Sequence, residues 1–141
     1  MKLTHTNNVK ATKSGMTLLE LTVVILVLLS LISILFIGAR AWKKGSDRAA
    51  SILTIRNVQQ AVRSFSNMNG HNPGDTVATL QTDLFGAGKF IENDPTAGSH
   101  PAGTAVSYVI GAATTIPVVG TLYMTADDAE YAPTAGSTDD W

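Results

Sequence analysis

The chain has 141 residues, a formal net charge of -1 and no cysteine. That length suits one membrane helix and one small domain, and the missing thiols exclude a disulfide-stapled scaffold and any thiolate metal site. A domain of about 70 residues without such staples has a modest core of its own or leans on a neighbouring helix for one.

Charge is unevenly placed. Lys2, Lys10 and Lys13 precede an apolar stretch, and Arg40, Lys43, Lys44 and Arg48 follow it, with Arg56 and Arg63 further on. From Ser64 onward a single base, Lys89, stands against Asp75, Asp83, Glu92, Asp94, Asp127, Asp128, Glu130, Asp139 and Asp140. A basic stalk thus carries an acidic head. Such a head repels phosphates, which argues against a nucleic acid as its partner. The stalk suits lipid phosphates or the acidic heads of neighbouring copies, unless it is only a positive membrane flank beside a solvated acidic surface.

Residues Met16 to Ala39 are almost wholly apolar, with one acid, Glu20, near the start. As a helix they extend about 36 Å at about 1.5 Å per residue, enough to cross a hydrocarbon core of about 30 Å. Residues 1–15 contain no apolar run, and the plausible cleavage point, Gly15, lies before the apolar stretch. Cutting there leaves the membrane helix on the mature chain, unlike a secretory signal peptide. A carboxylate within an apolar helix costs about 2.5–3.5 kcal/mol and calls for a partner. Otherwise it lies at the membrane surface and snorkels.

The run Lys13-Ser14-Gly15-Met16-Thr17-Leu18-Leu19-Glu20-Leu21 resembles the leader junction of type IV prepilins and related pseudopilins. The resemblance covers about Lys13 to Ala39. It implies that a prepilin peptidase cuts between Gly15 and Met16 and methylates the Met16 nitrogen. It also implies that Glu20 is the assembly glutamate, pairing with the Met16 ammonium of a neighbouring subunit. Lys and Arg counts on the two flanks do not settle the topology; the resemblance implies a cytoplasmic leader and an external head. Where the family commonly carries a helix-loosening glycine and proline, this chain has Leu29 and Ile37, beside Ser30, Ser33 and Gly38.

Beyond Trp42, an interfacial anchor by type, Gly45-Ser46-Asp47 reads either as a break or as a weak point in one long helix. Ile52, Ile55, Val58, Val62 and Phe65 form one apolar face of an amphipathic helix. Arg56, Gln59, Gln60 and Arg63 lie opposite. Asn69-Gly70 signals the helix end, and Asn72-Pro73-Gly74-Asp75 a turn. A short helical turn anchored by Leu80, Leu84 and Phe85 is expected within an otherwise loop-rich region. Three short antiparallel strands follow, at residues 105–110, 116–119 and 121–125, the second weakened by Pro117. The expected organisation is a leader (1–15), a transmembrane and assembly helix (16–39), an amphipathic stalk (40–69), a variable loop region (70–104) and a small sheet with an acidic tail (105–141). The fold class is α+β and pilin-like, a long N-terminal helix packed on a small antiparallel sheet.

Little else suggests chemistry. His5 falls in the leader, and His71 and His100 read as surface turn residues. Asp127, Asp128 and Glu130 cluster. Some pseudopilins bind calcium near the C-terminus with such carboxylates, but the EF-hand spacing is absent, and a solvated acidic loop is the alternative. No nucleotide or nucleophile motif is present. The expectation is a non-enzymatic filament subunit without cofactor, whose partners are other pilin subunits, the peptidase, an assembly platform and the membrane. It resides in the inner membrane and then in a surface pilus or periplasmic pseudopilus. The alternatives are a pseudopilin of a type II secretion or DNA-uptake system, and a single-pass anchored binding protein.

Overall fold

The computed structural model describes Gly15 and residues 17–141. The leader up to Ser14 and the methylation site Met16 lie outside the described residues. The chain falls into two compact units, which meet between Ala39 and Arg40. The element order is helix α1 (Leu18–Asn69), helix α2 (Leu80–Leu84), strand β1 (Tyr108–Ile110) and strand β2 (Met124–Ala126). Helix α1 continues through Gly38 and through Gly45-Ser46-Asp47, so the weak point does not break it. A Cβ added at Gly38 or Gly45 would meet nothing within 4 Å.

The second unit is built on one face of α1. Ser51, Ile55, Val58, Gln59, Ala61, Val62, Phe65 and Ser66 are buried along it. Ile55, Val58, Val62 and Phe65 enter the main core with Leu80, Leu84 and Phe85, as the helical spacing predicts. Two assignments change. Ile52 is only half-buried, and Gln59, expected on the polar face, is buried.

The end of α1 is closed by a Schellman arrangement. Gly70 takes φ 71°, the His71 amide donates to Ser66 O (2.9 Å), and the His71 ring stacks on Phe65 at 5.7 Å. Glycine at this left-handed position avoids the Cβ clash, and the ring contact is the apolar seal that usually accompanies the motif. In the following turn Asp75 N–H donates to Asn72 O. Pro73 presets one central residue and Gly74, at φ 94°, supplies the other.

The sheet has two strands, not three. β1 and β2 pair antiparallel in the register Tyr108↔Ala126, Val109↔Thr125 and Ile110↔Met124. Residues 116–119 form no strand. The Ile116 amide donates to Asp75 O and Ile116 O accepts from Gly74 N–H, while the Thr121 amide closes a turn onto Val118 O. Pro117 has no N–H to offer a ladder. Gln59 fills the gap. Its Nε2 donates to Thr121 O (3.0 Å) and its Oε1 accepts from the Tyr123 amide (2.9 Å). One carboxamide thus serves as a peptide neighbour to the chain entering β2, and the backbone groups there find partners without another strand.

Gln59→Leu should therefore destabilise the head more than its loss of polarity suggests. It leaves the buried Tyr123 amide unpaired, at about 1–3 kcal/mol, and takes away the partner of Thr121 O. Thermal unfolding of the full chain in detergent, with the exposed Gln60→Leu as control, checks this; equal melting of the two variants would contradict it.

Candidate functional site

The N-terminal junction is built by a capping box. Thr17 is the N-cap residue of α1: its carbonyl accepts from the Leu21 amide (3.2 Å). Its Oγ1 accepts from the Glu20 amide (3.3 Å), and Glu20 Oε2 accepts from the Thr17 amide (3.1 Å). This reciprocal pair satisfies two orphan donors of the helix start and sets the Glu20 carboxylate beside the positive end of the helix dipole. The sequence signal for it is Thr17-x-x-Glu20. Only one carboxylate oxygen is engaged; Oε1 makes no hydrogen bond among the described residues. Gly15 is exposed, and a Cβ there would meet nothing within 4 Å.

The apolar run that follows is clean. Thr22, Ser30 and Ser33 return their hydroxyls to Leu19 O, Val27 O and Leu29 O at 2.8–2.9 Å. Hydroxyls bonded within their own helix present no unpaired group to lipid. The helix is long and apolar enough to cross a membrane, and none of its apolar window is buried. Leu29 and Ile37 lie in continuous helix.

Two of the flanking lysines are already paired. Lys43 Nζ meets Asp47 Oδ2 at 2.7 Å, and Lys44 Nζ meets Glu130 Oε1 at 2.6 Å. These hydrogen-bonded carboxylates raise both lysines above their usual range. Glu130 thus ties the acidic loop to α1. Its neighbours are engaged as well. Asp127 accepts from the Ser107 amide (2.9 Å) and hydroxyl (2.8 Å), and Asp128 Oδ1 accepts from the Glu130 amide (2.9 Å). The three carboxylates considered for calcium therefore hold protein donors. Among the described residues no group of three histidines or acids is placed to hold a metal ion.

His100 departs from expectation. It is buried at 3% exposure, with its ring 4.6 Å from that of Tyr108 and 5.4 Å from that of Tyr131. Nδ1 accepts from the Ala102 amide (3.1 Å), so the ring proton sits on Nε2 and is donated to Ser51 Oγ (2.9 Å). Ser51 in turn donates to Tyr131 O (2.9 Å). A serine–histidine pair at this distance resembles a nucleophile and its base. Its protons run the other way: a general base must accept from the serine at Nε2. The chain of bonds instead fastens the 127–131 loop to α1. Ser51 and His100 carry no sequence signal of this link, being 49 residues apart.

No family model, curated protein or solved structure matches the chain.

The Asp127–Ser107 link makes the end of the β1–β2 ladder acid-sensitive. Backbone and hydroxyl bonds from Ser107 hold the Asp127 carboxyl below its ordinary 3.8. A lowered native pKa gives stability that is complete above the unfolded value and is lost as pH falls through the native one. The Ser107 amide resonance should titrate with a midpoint below 3.8, and Asp127→Ala should abolish that titration; NMR of the full chain in detergent checks both.

Proposed function

We propose that the chain is a structural, non-enzymatic subunit of a type IV pilus-like filament. It is made as a single-pass prepilin in the inner membrane, cut between Gly15 and Met16, methylated on Met16, and assembled through the first part of α1. The observation that carries this reading is the surface of residues 18–37. Every large apolar side chain there is 45–80% exposed, and the run begins two residues after the Gly15-Met16 junction. Such a helix needs lipid before assembly and other apolar helices after it, where van der Waals packing rather than hydrophobic burial drives association.

Glu20 then sets the register. The hydroxyls of Thr22, Ser30 and Ser33 are bonded within the helix, so they contribute little to choosing a neighbour. Glu20 keeps one oxygen outside the capping box. The Met16 ammonium of an adjacent copy, created only by cleavage, would meet that oxygen in a low-dielectric setting and neutralise both charges. Among the described residues no contact at Gly15 calls for a glycine, and recognition by the peptidase is the role this reading gives it.

The capping box gives a clean separation of roles. Glu20→Gln keeps the cap, because glutamine serves equally there, but removes the charge. Thr17→Val keeps the charge and loses about 0.5–2 kcal/mol of cap. The expected outcome is that both are processed while only Glu20→Gln assembles poorly, as read by electron microscopy of filaments. Normal filaments from Glu20→Gln would sink the pairing. Gly15→Leu should leave the chain uncut and unassembled, and mass spectrometry should find a methylated Met16 at the mature wild-type N-terminus. A mature chain that still begins at Met1 would overturn the whole reading.

A further inference from the structure

His100 stands at a seam between two parts of the head. Its ring lies 4.6 Å from that of Tyr108, which belongs to the main core, and 5.4 Å from that of Tyr131. Tyr131 belongs to a separate small cluster, formed with Val106 and Ala126 and flanked by Ala102 and Ala132. The buried imidazole is bonded on both sides: Nδ1 accepts from the Ala102 amide and Nε2 donates to Ser51 Oγ. This arrangement needs the neutral ring. A proton added at Nδ1 points at the Ala102 N–H, so two donors face each other, and the cation has one acceptor for two N–H groups.

Among the described residues no carboxylate bonds to the ring to offset that charge. On α1, Asp47 is paired with Lys43, and Arg48 adds a like charge about one turn before Ser51. On the 127–131 loop, Glu130 is paired with Lys44, Asp128 accepts from the Glu130 amide and Asp127 from Ser107. On the segment leading to His100, Asp94 accepts from the amide and hydroxyl of Thr96. Tyr108 and Tyr131 supply phenols, a group that carries no charge where an imidazole titrates, and the Tyr108 hydroxyl makes no hydrogen bond among the described residues.

We infer that His100 is an acid-released latch: protonation of its ring frees residues 100–103 and the 127–131 loop from α1 at Ser51, while the main core stays closed. Opening gives the ring and the Ala102 amide water as a partner, which the buried seat denies them. It also takes from Ser51 its donor and from Tyr131 its edge contact. What then holds the small cluster is the contact among Val106, Ala126 and Tyr131, together with an exposed Lys44–Glu130 pair that contributes little by itself. A region with so few apolar contacts opens at a lower free energy than the whole head. The seated neutral ring stabilises the closed form at high pH, and that stability is lost as pH falls. The surface uncovered is the Ser51 face of α1 and the Tyr108 and Tyr131 rings. The latch lies wholly within the second unit and works in a single copy, whether or not the chain assembles.

Amide exchange and histidine ring resonances of the full chain in detergent micelles, followed from about pH 7.5 to about pH 5 across the ordinary imidazole value of about 6.5, test the latch. That range lies above the Asp127–Ser107 titration, whose midpoint falls below 3.8. After correction for the intrinsic pH dependence of exchange, opening at the Ala102 and Tyr131 amides should rise toward about tenfold per pH unit, the slope of one proton taken up. It should do so in step with the His100 ring signal, while the Tyr123 amide, held by Gln59, keeps its protection. His100→Gln, which cannot take up a proton, should remove the slope, and His71→Gln should leave it. A ring that gains its proton while the Ala102 and Tyr131 amides stay protected overturns the latch. So does a ring that stays neutral throughout, or an unchanged slope in His100→Gln. Loss of Tyr123 protection in step with the others overturns it too, because the whole head then unfolds. If His100→Gln fails to fold, the wild-type titration decides by itself.

Discussion

Helix α1 carries two different surfaces on one backbone. Up to Ala39 its side chains are apolar on every face and exposed, so this part needs an apolar surrounding along its full circumference. From Ser51 to Ser66 only one face is apolar, and that face is buried in the head. A helix needs no partner to satisfy its backbone, but it needs one for every apolar stripe it carries. Where the stripe wraps the helix, the described residues bury none of it; where the stripe narrows, the partner is the chain's own C-terminal half.

The head is held with very little sheet. Two strands of three residues each leave many backbone groups without a ladder, and side chains take that place. The Gln59 carboxamide completes the approach to β2, the Asp127 carboxylate closes the far end of β1, and the Ser51–His100 relay anchors the 127–131 loop. All three links join segments distant in sequence. A small domain without cysteine has limited apolar area to bury, and satisfied polar links of this type specify one arrangement because each loses much if a single partner shifts. Tyr123 shows the depth of this core: burial, with Asp94 nearby, pushes its phenol up to about 12, while its hydroxyl still donates to Ala113 O.

Charge in this molecule divides into pairs that are closed and groups that are open. Lys43, Lys44, Asp127 and Glu130 are closed within the chain. Glu20 is half-closed, one oxygen in the capping box, and Arg63 Nε and Nη2 are buried without a hydrogen-bond partner among the described residues.

The sequence alone was enough to determine the apolar and the amphipathic helical stretches, the helix end at Asn69-Gly70, the Asn72–Asp75 turn, the short helix at Leu80–Leu84 and the core positions Ile55, Val58, Val62 and Phe65; that the two stretches run on as one helix through Gly38 and Gly45 was decided by the structure. Each of these follows from local rules: hydrophobic period, glycine at positive φ, proline in a turn. It also contained the Thr17-x-x-Glu20 cap, legible from spacing alone. The strand at 116–119 failed because Ile116 pairs with the chain at Gly74 and Asp75, some forty residues away, and Pro117 has no N–H to carry the ladder on. The inward turn of Gln59 and His100 and the stranded edge of Arg63 were settled by the tertiary structure alone. A polar side chain's place on a helix face or in a turn is a local matter. Whether a distant backbone group or serine waits to satisfy it is decided only when the chain folds back on itself.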